Sequence, residues 1–220
     1  MKAETEKKIK ELVSFGDYIL NEEYRALFKE RIQKILECEA HETKIGNFSI
    51  YDYVGTDKFS PQLMGVMHQD GWKIASNGHI LIKVRLPYAE SYENKIVRKD
   101  CEIIDGTYPR YNAVLPQDIS TWNDVSFDLD RLADVVKKAK AHKKIYGKTE
   151  SFVKVGSLIY DVDLLAKFGK ALKAFRGFKL VEKEKSYMLY AEHEDMKALL
   201  MAKRFIDEDL LDESVFVDEL

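Results

Sequence analysis

Ile104-Asp105-Gly106-Thr107-Tyr108-Pro109-Arg110-Tyr111-Asn112-Ala113-Val114-Leu115-Pro116 places a strand end, a glycine turn and two proline-fixed corners in one short span. Gly106 is free to take a positive φ, each proline locks its own φ, and the residues before the prolines are pushed toward extended geometry. A segment built this way crosses a surface rather than lying inside a helix. It reads as a connector between two structured regions.

Upstream of the connector the apolar pattern changes period. Ile9, Leu12 and Val13, then Tyr24, Leu27, Phe28, Ile32, Ile35 and Leu36, recur at helical spacing among Glu, Lys and Arg, so residues 4–38 read as helical, divided near Gly16 and Asn21. From Phe48 the period becomes two. Asp70-Gly71 and Asn77-Gly78 are hairpin turn signals, and residues 63–86 are expected to form an antiparallel meander. Downstream, Val125-Ser126-Phe127 reads as a short strand, Asp128 or Asp130 caps a helix running to about residue 142, and Phe152 to Tyr160 is extended with a turn at Gly156-Ser157. A second helix follows from Val162 to Ala174 and ends near Gly177, and Phe178 to Phe205 holds two or three strands with a turn around Glu182 to Lys185.

The chain of 220 residues is long enough for one generous domain or two small ones. It has no run approaching the roughly 18 apolar residues that span a bilayer, and it starts with a charged Lys/Glu mixture, so the expected setting is cytoplasmic with no membrane partner. Cys38 and Cys101 are too few for a disulfide framework and lack the partners of a zinc site. The net charge of −3 hides an asymmetry: residues 206–220 carry seven carboxylates and no Lys or Arg, which leaves the body at +4. That tail is read as a separate acidic segment.

The basic charge gathers on the two predicted helices. Leu129, Leu132, Val135, Val136 and Ala139 share one side of the first, and Leu165, Phe168, Leu172 and Phe175 share one side of the second. Arg131, Lys137, Lys138, Lys140, Lys143 and Lys144 on the first, with Lys167, Lys170 and Lys173 on the second, are the candidate contacts to duplex DNA. Ammonium groups neutralise phosphates without reading sequence. Lysine-rich outer helix faces are also commonly just solvated, and no aromatic set is interleaved for stacking on single-stranded bases.

Four segments together resemble the bacterial replication sliding clamp, the ring-shaped processivity factor of the replicative polymerase. The connector is similar to that family's "DG-x-(F/Y)-P-x-Y-x-x-V-L-P" segment, and Ala75-Ser76-Asn77-Gly78-His79-Ile80-Leu81 resembles its "A-T-D-G-H-R-L" turn. Residues 152–204 resemble the end of its last domain, and Leu199-Leu200-Met201-Ala202-Lys203-Arg204-Phe205 stands where it closes with "V-M-P-M-R-L". The resemblance implies an α+β, DNA-clamp-like fold with antiparallel sheets and two basic amphipathic helices, plus a helical N-terminal extension. Its organisation would be 1–42 helical extension, 43–118 abbreviated clamp-like β domain, 119–205 clamp-like α+β domain and 206–220 acidic tail.

By the same resemblance Ser76, Gly78, His79, Ile80, Leu81, Pro116, Met201 and Arg204 would line a hydrophobic pocket for peptides of polymerases and repair proteins. The family arginine and proline are replaced by Ile80 and Ala202. Clamp chains carry more domains than this chain has room for, so ring closure would require a homo-oligomer. The acidic tail, with Leu210-Leu211 and Val215-Phe216 among its acids, has three readings: it occupies a pocket, screens the basic helices, or stays solvated.

Catalytic chemistry has no positive signal. The five histidines show no metal-site spacing, His193 beside Glu192, Glu194 and Asp195 reads as a hairpin loop, and no nucleophile elbow, P-loop or dinucleotide fingerprint is present. Asp105, Asp161 and Asp163 sit where carboxylates cap backbone N–H groups. The expected function is therefore a sliding-clamp-like DNA-binding scaffold or processivity factor without catalytic residues, metal or cofactor. The alternative is a peptide-binding adaptor or decoy that does not encircle DNA.

Overall fold

The structure is a computed structural model that describes residues 7, 9–11, 22–41, 45–147, 150–203 and 215–220. Residues 7 and 9–11 are helical, and α1 (Glu22–His41) follows. Its apolar positions Tyr24, Leu27 and Leu36 are exposed. Gly16, Asn21 and residues 204–214 lie outside the described residues.

Two tight turns set the first hairpins. Asp70 and Gly71 both have positive φ, 53° and 76°, as a two-residue hairpin turn requires, and they join β1 (Val66–Gln69) to β2 (Trp72–Ser76). At the next turn Asn77 Oδ1 accepts from the backbone N–H of His79 (3.0 Å) and of Ile80 (2.9 Å), which directs the chain into β3 (Ile80–Val84). Both strand pairs are antiparallel, with Gln69 opposite Trp72 and Ser76 opposite Leu81. The short strands β4 (Ile96–Val97) and β5 (Ile103–Ile104) extend this side of the sheet.

After the connector come β6 (Asn123–Asp124), α2 (Leu129–Tyr146), β7 (Ser151–Val155), β8 (Leu158–Asp161) and α3 (Val162–Ala174). Asp128 caps α2 by accepting from the N–H groups of Asp130 (2.7 Å) and Arg131 (3.3 Å), and Asp161 caps α3 through the N–H of Leu164 (2.9 Å). The chain then forms β9 (Lys179–Lys183), β10 (Met188–His193) and β11 (Met196–Met201). The strand expected at 125–127 sits at Asn123–Asp124; Val125 still donates its N–H to the Leu180 carbonyl (3.1 Å), and it and Phe127 pack against the inner core as the chain heads for the Asp128 cap. α2 also runs four residues past its expected end at 142, stopping at Gly147, whose φ is 83°.

One sheet holds nine strands in the order β5-β4-β1-β2-β3-β11-β10-β9-β6, every neighbouring pair antiparallel. Residues on both sides of Pro116 therefore share a sheet, joined where β3 meets β11. Alternation along each strand feeds two cores. On the inner face Val84, Ala198, Leu200 and Leu189 pack with Leu132 and Val135 of α2 and Leu165, Phe168 and Leu172 of α3. On the outer face Ile74, Leu81, Val181, Tyr190 and Leu199 are covered by Tyr108, Tyr111, Leu115, Ile119 and Trp122. The connector thus roofs the sheet.

A second sheet has the order β12-β7-β8, where β12 (Phe216–Glu219) is the end of the acidic tail and runs parallel to β7. Glu182 ties the two sheets together. Buried at 4% exposure on β9, it accepts from the backbone N–H of Ser157 (3.1 Å) and from Ser157 Oγ (3.0 Å) in the β7–β8 turn. Those bonds satisfy a carboxylate that would otherwise be costly to bury.

Candidate functional site

The outer face carries an apolar pocket of about 210 Å³ between the connector and the edge of three strands. One wall is the turn joining β2 to β3: Ser76, Gly78, His79, Ile80 and Leu81. Gly78 has φ 89°, and its N–H donates to Ser76 Oγ (3.1 Å), so the turn folds back on itself and exposes its inner side. The floor is Leu199 and Met201 of β11, with Met201 N–H bonded to the His79 carbonyl (2.9 Å). Leu63, Tyr108, Pro109, Arg110, Tyr111 and Val114 complete the enclosure.

The connector holds its shape by local bonding. The Tyr111–Ala113 segment makes a single 3-10 turn, and Tyr111 Oη donates to Gln69 Oε1 (3.0 Å) on β1. Tyr108 and Tyr111 are each 7% exposed, and burial pushes both phenols above their ordinary range, so they act as neutral rings. His79 and Met201 also border a second depression with Asp161, Leu164, Ala202 and Lys203. The two hollows thus share a wall.

Of the sequence-derived pocket residues, Ser76, Gly78, His79, Ile80, Leu81 and Met201 surround this one cavity. Pro116 is not among its lining residues, because the chain has already turned at Tyr111–Ala113 and proceeds through Leu115 and Ile119 toward Trp122. Arg204 lies outside the described residues. Sequence reasoning missed Leu63, Leu199 and the roof from Tyr108 to Val114. Leu199 carried a signal, being two residues from Met201 on the same strand face, and the two tyrosines marked the connector as a segment that packs down.

On the inner side of the sheet, α2 and α3 lie against each other with their lysines outward. The contact is close at Gly169, where an added Cβ would meet Leu132 Cδ2 at 2.7 Å. Five of the nine candidate DNA-contacting residues already face carboxylates: Lys137 with Asp134 (2.9 Å), Lys138 with Asp218 (3.1 Å), Lys143 with Asp163 (2.8 Å), Lys170 with Asp52 (4.0 Å) and Lys173 with Asp130 (3.1 Å). Such exposed pairs contribute little stability and exchange readily for another anion. Arg131, Lys140, Lys144 and Lys167 form no ion pair among the described residues.

Among the described residues no group of three His, Cys, Asp or Glu could hold a metal ion, and no helix is long and apolar enough to cross a membrane. No protein-family model matches the chain, and no curated protein is similar to it. Solved structures decide the fold. The beta sliding clamp of Caulobacter crescentus superposes with a TM-score of 0.53 at 14% identity, over 70% of this chain and 62% of that one. The fold is that of the bacterial beta sliding clamp.

The sliding clamp of Helicobacter pylori, solved bound to a DNA ligase peptide, matches with a TM-score of 0.53 at 12% identity over 78% of this chain and 64% of that one. The Bacillus subtilis sliding clamp gives 0.51 at 14% over 78% and 63%. This chain therefore spans less than two thirds of the length of the sliding clamps it matches. At this level of identity the sliding-clamp likeness is one of fold.

Proposed function

We propose that this protein is a sliding-clamp-like scaffold that binds duplex DNA non-specifically through α2 and α3 and takes partner peptides of polymerases or repair proteins in the outer pocket. The observation that carries the reading is the placement of the two surfaces. A single sheet presents an apolar pocket under the connector on one face and two lysine-rich helices on the other. A clamp of the same fold, from Helicobacter pylori, has been solved with a DNA ligase peptide bound, which supports a peptide as the occupant. No step of this function is chemical; it rests on shape and charge.

The two halves of the reading separate by mutation. Changing Lys140, Lys144 and Lys167 together to Glu is expected to abolish salt-sensitive binding to duplex DNA in a gel-shift titration while leaving peptide binding within about twofold. Met201→Ala is expected to weaken a labelled clamp-binding peptide by about tenfold, from the loss of an apolar floor, without changing DNA affinity. Duplex binding that survives the triple variant defeats the DNA role. A second reading, a peptide-binding adaptor that does not encircle DNA, is favoured by the five lysines already neutralised within the chain.

A further inference from the structure

Beyond the pocket, the same outer face carries a cationic notch. Lys83 projects from β3 between two rings, its Nζ 5.1 Å from the Trp72 ring centroid and 5.2 Å from that of Tyr111. Across the ladder it stands directly opposite Lys197 on β11. The Arg85 guanidinium carbon also lies over Trp72, 4.7 Å from the ring centroid. Like charges facing each other across a ladder are destabilising, so the sheet keeps this arrangement at a cost.

The three cations are not equally neutralised. Lys197 has Glu192 at 2.8 Å and Arg85 has Asp195 at 3.9 Å, whereas Lys83 forms no ion pair among the described residues. Burial, Lys197 and Arg85 all lower the Lys83 pKa, and Asp70 opposes them from a distance. The ammonium is thus held in place by rings, in positive surroundings, with room in its hydrogen-bonding shell for an acceptor.

Position relates the notch to the pocket. Leu81 and Leu199 line the pocket, and Lys83 and Lys197 are the next residues along the same strand faces, about 7 Å further on at the usual rise of a strand. Tyr111 is the wall common to both. An extended peptide laid along these strands has the same repeat.

We propose that the Lys83–Lys197 pair, walled by Trp72 and Tyr111, takes the side-chain carboxylate of an Asp or Glu lying two residues before the apolar anchor that a partner peptide seats in the pocket. This rests on the pocket being a peptide site. The carboxylate relieves the lysine–lysine repulsion and fixes which way the peptide runs, because the opposite direction would carry the acid away from the notch. Charge complementarity of this kind contributes specificity more than bulk affinity.

The test uses the full chain and two fluorescein-labelled synthetic peptides that share a Leu-Phe anchor and differ only in Asp or Asn two residues before the Leu. Fluorescence anisotropy at low salt is expected to show the Asp peptide binding about five- to tenfold more tightly, a preference that shrinks as salt screens it. Lys83→Gln should bring the two peptides within about twofold by weakening only the Asp peptide, and Lys83→Arg should keep the preference. Met201→Ala should weaken both alike. Equal affinity of the two peptides for the wild type, or equal weakening of both by Lys83→Gln, overturns the notch and leaves the pocket standing. If neither peptide binds, the pocket reading falls and the notch with it.

Discussion

Gly156 shows how one missing side chain holds two sheets together. Its φ is 59°, and a Cβ added there would lie 2.5 Å from Glu182 Oε2, inside the bonds that Glu182 receives from Ser157. Gly177 also has a positive φ, 82°, but open space around it. Gly156→Ala is therefore expected to cost about 2–4 kcal/mol, from a displaced buried carboxylate added to backbone strain, against about 1 kcal/mol for Gly177→Ala. Urea unfolding of both variants checks this; equal losses would mean the carboxylate moves aside freely.

His68 sets a pH response at the same scale. It is fully buried beside Lys73 and the Tyr88 ring, and its Nδ1 lies 3.3 Å from the Lys95 carbonyl oxygen. Burial first, and the Lys73 charge second, lower its pKa from 6.5 to about 4. The folded imidazole thus stays neutral while the unfolded one takes a proton near pH 6.5. The penalty is absent above that pH and grows as pH falls toward 4, reaching about 3 kcal/mol. The melting temperature of the wild type should drop more steeply between pH 6.5 and 4 than that of His68→Gln, and parallel slopes would exclude His68 as the source.

At the scale of elements, the strand β12 is the least expected. The acidic terminus, which its sequence left with three readings, lays Phe216 to Glu219 beside Ser151 to Lys154, packs Phe216 against His142 (5.7 Å between ring centroids) and sets Asp218 on Lys138. Deleting residues 216–220 frees Lys138. Under the proposed function the slope of log affinity for duplex DNA against log salt then steepens by about one, as one more phosphate is neutralised. An unchanged slope would show that Lys138 takes no part.

The local elements were legible where chemistry is local. Asp-Gly and Asn-Gly fixed the first hairpins, and α3 runs from Val162 to Ala174 as its apolar period and the Asp161 cap require. β12 was not, since pairing across more than sixty residues leaves no mark on either segment. The pocket divides in the same way. Its turn and floor were readable from Ser76 to Leu81 and at Met201, while Leu63 comes from a loop with no pattern, and Pro116 was displaced by a 3-10 turn too short to foresee.

For the whole molecule, the proposed function turns on stoichiometry, because a ring built from repeated copies around duplex DNA must have closed symmetry. The proposed scaffold is expected to run in light scattering at a multiple of 25.5 kDa and to stay on circular duplex until the circle is cut. A single-copy mass with and without DNA would instead select the adaptor. The partition of the sheet bears on this, because β5 and β6 at its ends are only two residues long and offer little edge for another copy.

The pairing of β3 with β11 also has a consequence in time. Val84 meets Met196, so a ribosome that has finished β1 to β3 must add more than a hundred residues before the second partner of β3 exists. At about 5–20 residues per second that interval is roughly 5–20 s, during which an apolar strand bearing Ile80, Leu81 and Ile82 has β2 on one edge and nothing on the other. The nascent chain must be sheltered over that interval, and the last large hairpin to be made is the one that completes the sheet.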